Sequence, residues 1–203
     1  MAKLHFYYSA MNAGKSTTLL QSSYNYNERG METLLYAPII DDRFGKGKIA
    51  SRIGLEANAT TIGREHNLFE DAKSKISSNP NIKCILVDEA QFLTKAQVEQ
   101  LCLIADELNL PVLAYGLRAD FRGEPFEGSL YLLVWADILI EIKTICHCGR
   151  KATMNMRIDP QGKKVSAGEQ VMIGGNDSYV STCRRHFRTG QAQPTANKHD
   201  LIG

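Results

Sequence analysis

FYYSAMNAGKSTTLL, Phe6 to Leu20, runs from a short β-prone stretch through a loop of small residues into a helix-forming segment. From Ser9 to Ser16 it follows the spacing G-x-x-x-x-G-K-[ST], with serine at the position of the first glycine. The spacing has a mechanical meaning. Gly14 lets backbone N–H groups wrap close to phosphate oxygens, Lys15 brings positive charge, and the Ser16 hydroxyl can reach a magnesium ion. The loop Ser9, Ala10, Met11, Asn12, Ala13, Gly14 is thus a candidate phosphate cradle. The first glycine mainly eases the turn out of the strand, and serine serves there if its φ stays negative. Taken alone, A-G-K-S is as readily a loop of small residues at a helix start.

A second stretch decides between these readings. CILVDE, Cys84 to Glu89, is an apolar strand with Asp88 at its carboxyl end. An open α/β sheet places its ligand crevice there, and a carboxylate at that point can hold magnesium, usually through water. Together the two motifs point to a nucleoside-triphosphate site. Glu89 follows directly. Adjacent strand residues point to opposite sides, but a twisted strand end can turn both carboxylates toward one site. Glu89 can then take a proton from an acceptor alcohol, as in a kinase, or polarise a water, as in an ATPase. A solvated carboxylate at a strand end is the plain alternative.

Strand and helix patterns alternate outward from these motifs. Leu4–Tyr8, Thr33–Ala37, IKCILVDEAQF ending in its acids, PVLAYGL and ILIEIK read as strands. KSTTLLQSSYNYNER, stopped by Gly30, reads as a helix, as do Asn67–Ile76, TKAQVEQLCLIADEL and GSLYLLVWAD. Thr94 and Gln97 make a capping-box start for the third of these. DDRFGKGKIASRIG is expected to be a mobile loop. The pattern implies an α/β fold of the P-loop type, a doubly wound and mainly parallel sheet over residues 1–143. Beyond Thr144 the chain turns to short β-prone pieces and Gly-containing turns, a second unit over 144–190. Residues 191–203 are polar and aperiodic and read as a disordered tail.

Length and composition limit the partners. At 203 residues the chain can bury a self-sufficient core. A net charge of +2 gives no broad basic surface, so nucleic acid is not an expected partner. No secretory leader and no membrane-length apolar run are evident, so the expectation is a cytoplasmic protein with no membrane contact. Five cysteines, an odd number, argue against a disulfide framework in that compartment. Cys146, Cys148, Cys183 and His186 form C-x-C followed by C-x-x-H, three thiolates and an imidazole suited to tetrahedral zinc. The C-x-C pair is closer than usual, structural or reactive thiols are the alternatives, and His147 is a rival ligand. Cys84 and Cys102 fall on apolar positions and read as core thiols.

In order, YSAMNAGKST, VDEAQF, YGLRADFRGEPF, the Cys146/Cys148 pair and VMIGGNDSYVSTCRRH resemble the thymidine kinases of the cellular and bacterial type, over about Lys3 to His186. The likeness is strong to the enterobacterial members. It implies transfer of the ATP γ-phosphate to the 5′-hydroxyl of thymidine or deoxyuridine with magnesium, in nucleotide salvage. On matching positions Glu89 would be the proton acceptor. Lys15 and Ser16 would hold phosphate and magnesium, Asp88 and Gln91 would line the nucleotide site, and Arg43 would lie near the phosphates. A lasso in the zinc-binding unit would bring Val171, Met172, Ile173 and Gly174 to thymidine, with Tyr179 packing or hydrogen-bonding there. Met11, Phe92, Leu117, Phe121 and Phe126 would wall the pocket, although without the likeness such apolar residues are more often core. Zinc would cross-link the ends of the lasso segment. The family further implies a homotetramer and inhibition by thymidine triphosphate. A hydrolytic ATPase using Glu89 on water, and a nucleic-acid module built on CRRHFR, are the competing readings.

Overall fold

Strands and helices alternate as β1 (Leu4–Ser9), α1 (Lys15–Asn27), β2 (Glu32–Pro38), β3 (Lys48–Ala50), β4 (Glu56–Asn58), β5 (Thr60–Ile62), α2 (Leu68–Ser78), β6 (Ile82–Val87), α3 (Lys95–Glu107), β7 (Val112–Leu117), α4 (Glu127–Trp135) and β8 (Ile138–Glu141). The structure, a computed structural model, describes residues 1–39, 47–170 and 178–192. Arg43, Val171, Met172, Ile173, Gly174 and residues 193–203 of the expected tail lie outside the described residues.

Six of these strands form one sheet in the order β5-β2-β6-β7-β1-β8, and every pairing within it is parallel. The alternation of side chains explains its two-sided burial. On β6, Ile85 and Val87 join the core that holds Phe6, Leu68, Val98, Leu101 and Leu132, beneath α2, α3 and α4. Cys84 and Leu86 join the opposite core with Leu19, Leu20 and Tyr115, beneath α1. Helices on both faces make the sheet doubly wound. Thr94 and Gln97 complete the anticipated capping box on α3, a feature contributing about 1 kcal/mol.

Two details differ from expectation. The described end of the Gly-rich stretch is not loop throughout, since β3 pairs antiparallel with β4. The edge strand β5 beside β2 was not anticipated either. Each spans three residues, too few for alternation to register in the sequence.

Beyond the main sheet, β9 (Thr144–Ile145) pairs antiparallel with β10 (Lys151–Ala152). A second sheet has the order β12-β11-β13, from β12 (Lys164–Val165), β11 (Met154–Ile158) and β13 (Tyr179–Thr182). Helix α5 (Arg184–Thr189) follows. No helix among the described residues is long and apolar enough to cross a membrane.

Candidate active site and metal cluster

The phosphate-type loop leaves β1 at its carboxyl end and enters α1 at Gly14. Asn12 (φ 60°) and Gly14 (φ 83°) are left-handed, whereas Ser9 is not, so serine is accommodated at the first position without backbone strain. Ser9 is buried and its hydroxyl bonds the Ala10 carbonyl at 2.6 Å. The same oxygen accepts from Lys15 Nζ at 3.3 Å, so the departure from glycine adds a contact to the loop lysine.

Asp88 directly follows β6 and faces this loop, accepting a hydrogen bond from Ser16 Oγ at 2.9 Å. Burial, and then the neighbouring Glu89 carboxylate, push the Asp88 carboxyl up to about 7 against the pull of Ser16, the Glu89 amide and Lys15. A buried acid of this kind favours a cation beside it, and a carboxylate with a hydroxyl is the oxygen donor set magnesium takes. Residues Ser16 and Asp88 therefore fit that ion.

Glu89 itself sits at φ 46°, a conformation costly for a residue with a side chain. Gln91 over-determines it. From the 3-10 turn Ala90–Phe92, Gln91 Nε2 donates to Glu89 Oε2 at 2.5 Å, while Gln91 Oε1 accepts from the Leu117 amide at 3.0 Å. Gln91 is 1% exposed, so the structure shows both ends of its amide holding Glu89 against the end of β7. Two glycines permit that packing. A Cβ on Gly116 would lie 3.0 Å from Gln91 N and Oε1, and one on Gly128 of α4 would collide with the Ala90 carbonyl.

The candidate nucleoside-wall residues make contacts of their own. Phe92 and Phe126 meet edge to face with centroids 5.6 Å apart, and Leu117 closes β7. Phe121 is buried under the Arg157 guanidinium, 3.7 Å above its ring, and Arg157 Nε donates to Tyr179 Oη at 2.8 Å. Asp120 fixes the loop between β7 and α4, accepting from the Arg122 and Glu124 amides at 2.8 and 2.9 Å and pairing with the Arg122 guanidinium.

Cys146 and Cys148 lie in the turn between β9 and β10, Cys183 caps α5, and His186 occupies its first turn. Their four ligand atoms lie within 4.8 Å of one another. Cys146 Sγ is 3.3 Å from His186 Nδ1, and the Cys148 and Cys183 sulfurs are 3.9 Å apart. Tetrahedral zinc with bonds of about 2.0–2.3 Å needs edges of about 3.5–3.8 Å, so the set fits zinc. The His186 amide lowers the Cys183 thiol and burial lowers His186, directions that favour thiolate and neutral imidazole, whereas burial raises the Cys146 thiol. His147 stacks on His186 with centroids 4.3 Å apart. Burial also pushes up Cys84, to about 12, and Cys102, to about 11. A thiol reagent applied to folded protein after chelation is expected to react first at the exposed Cys148 and to leave the fully buried Cys84 unreacted until unfolding. Reaction of Cys84 before unfolding would contradict its core placement.

Asn155, Arg157 and Ser181 were not singled out from sequence. Asn155 and Arg157 are two apart on β11 and both buried, so the available signal was a pair of polar side chains on one face of a β-prone run. Gly128 carried no signal, because its use depends on the packing of α4 against the Ala90–Phe92 turn.

Comparison with known proteins adds an independent line. The thymidine kinase family model matches residues 2–187. A thymidine kinase of Coxiella burnetii is 69% identical over 98% of this chain and 100% of its own length. One from Legionella pneumophila is 60% identical over 100% of this chain and 97% of its own. One from Yersinia pestis is 62% identical over 93% and 95%.

Proposed function

The chain belongs to the thymidine kinase family, and from that premise we propose how its residues carry the transfer of a phosphoryl group from ATP to thymidine. The observation that supports the assignment of roles is the convergence of the phosphate-type loop, Asp88 and Glu89 at the carboxyl ends of β1 and β6, with Ser16 bonded to Asp88. Residues Ser9 to Gly14 and Lys15 cradle the ATP phosphates. Ser16 and Asp88 would hold magnesium, which when bound neutralises phosphate charge. Glu89 takes the proton of the thymidine 5′-hydroxyl as that oxygen bonds to the γ-phosphorus, and the bond to the β-phosphate oxygen breaks to release ADP. Gln91 orients Glu89. Hydrolysis as the main activity is not favoured.

Phe92, Leu117, Phe121, Phe126 and Met11 wall the base pocket, with Tyr179 beside it, and deoxyuridine fits the same wall because it lacks only a methyl group. Val171, Met172, Ile173 and Gly174 complete the nucleoside site as a lasso, and Arg43 meets the phosphates, as the family resemblance implies. We take residues 1–143 as the catalytic unit and 144–190 as the zinc-binding unit. Five unpaired thiols suit a cytoplasmic enzyme. The exposed Leu130, Val134 and Trp135 on α4 suit burial between copies in a homotetramer.

The test is ATP turnover with magnesium, with and without thymidine. Thymidine monophosphate formed in step with ADP, and suppressed by thymidine triphosphate, is the expected result. Equal ADP release without thymidine and without a nucleotide product would sink the acceptor assignment. Light scattering on the same sample would refute the tetramer by returning a monomer mass.

A further inference from the structure

The phosphate-type loop is gripped by a sheet to which it does not belong. Met11 lies inside that loop, and both of its backbone polar groups are taken by side chains of the C-terminal sheet. Its amide donates to Asn155 Oδ1 at 2.7 Å, and its carbonyl accepts from Ser181 Oγ at 2.5 Å. Asn155 and Ser181 are direct partners across the β11–β13 ladder, so one cross-strand pair closes on one residue. The remaining end of the Asn155 amide donates to the Ala119 carbonyl at 2.8 Å, in the loop after β7. Asn155 is 3% exposed, and a buried amide with both ends committed has no freedom to turn.

The next residue, Asn12, is held at a positive φ. Fixing the peptide groups of Met11 fixes the plane from which that turn starts, and with it the directions of the N–H groups that follow. Local sequence does not enforce this geometry, because Ala10 to Ala13 contains neither glycine nor proline.

We propose that Asn155 and Ser181 are positioning residues for the nucleotide phosphates, acting through Met11, so that the β11–β13 sheet sets the shape of the phosphate loop as well as flanking the nucleoside side. The inference rests on the assignment of that loop to ATP. It also places the two substrates on one strand. β13 opens at Tyr179, beside the base wall, and two residues later carries the hydroxyl that holds the loop.

Direct binding of magnesium-ATP, by calorimetry without thymidine, tests the idea on wild type, Ser181→Ala, Ser181→Thr, Asn155→Ala and the double variant. One lost hydrogen bond predicts about 2- to 10-fold weaker nucleotide binding for Ser181→Ala, restored in Ser181→Thr, and about 10-fold or more for Asn155→Ala. Because both side chains act on the same residue, the double variant should lose less than the product of the singles. Ser181 is only half-buried, so its hydroxyl can be removed with the fold intact should Asn155→Ala fail to fold. Unchanged affinity in folded Ser181→Ala, with only a lower melting temperature, would overturn the positioning role. A wild type that bound no nucleotide would overturn the ATP assignment itself, and the proposal with it.

Discussion

Glu89→Gln is expected to lower kcat for thymidine phosphorylation by about 10²- to 10⁴-fold while leaving the binding of ATP and thymidine close to wild type. The substitution keeps the shape of the side chain and an oxygen able to accept from Gln91 Nε2, which now stands 2.5 Å from the carboxylate. What it removes is the basicity that the proposed mechanism uses to take the hydroxyl proton. Because the strained turn at Glu89 is held by Gln91 and by the packing of the Ala90–Phe92 segment, the backbone need not move. Steady-state kinetics with product identification would check this. A Glu89→Gln enzyme retaining wild-type kcat would remove Glu89 from the proton transfer.

Gly128→Ala is expected to cost about 10²-fold in kcat by acting through the backbone of the Ala90–Phe92 turn. The added methyl would be driven into the Ala90 carbonyl and would crowd Gln91 O and Leu93 N, each 3.0 Å from its position. These are backbone atoms, which cannot rotate away. The helix or the turn must shift, and the turn carries Gln91 and the carboxylate it orients. Overpacking of this kind costs about 1–3 kcal/mol of stability, so the melting temperature should fall as well. The diagnostic is selectivity. Binding of magnesium-ATP, which depends on the loop after β1, should survive in folded protein while turnover does not. Equal loss of both would point to general damage, and unchanged turnover would mean that the turn tolerates displacement.

Legibility from sequence followed the range of the forces involved. The six-stranded architecture was readable from strands β1, β2, β6, β7 and β8 because a sheet buried on both faces leaves short apolar runs between helix patterns. The phosphate loop was readable from close spacing in the chain, as were the pairs Cys146/Cys148 and Cys183/His186, which the fold then brings together. Edge strand β5 and the β3–β4 pair were not, being three residues each. Asn155 and Ser181 were invisible for a different reason. Their partner is Met11, separated from Asn155 by 144 positions, and only the tertiary arrangement of the two sheets brings a strand asparagine to a loop amide. Gln91 was assigned from resemblance to the nucleotide site, and the structure shows its amide engaged with Glu89 and the Leu117 N–H.

The placement of β7 between β1 and β6 has a consequence for how such a site can change. The loop that would hold the donor phosphates and the acids that follow β6 hang from strands two spacings apart, roughly 9–10 Å. That gap is a ruler made of peptide hydrogen bonds, graduated by chemistry common to every residue, and no side-chain substitution can rescale it. Drift in the surrounding loops can alter which base is admitted or how tightly a nucleotide is kept. The separation of the two strand ends that carry these groups is inherited unchanged with the backbone.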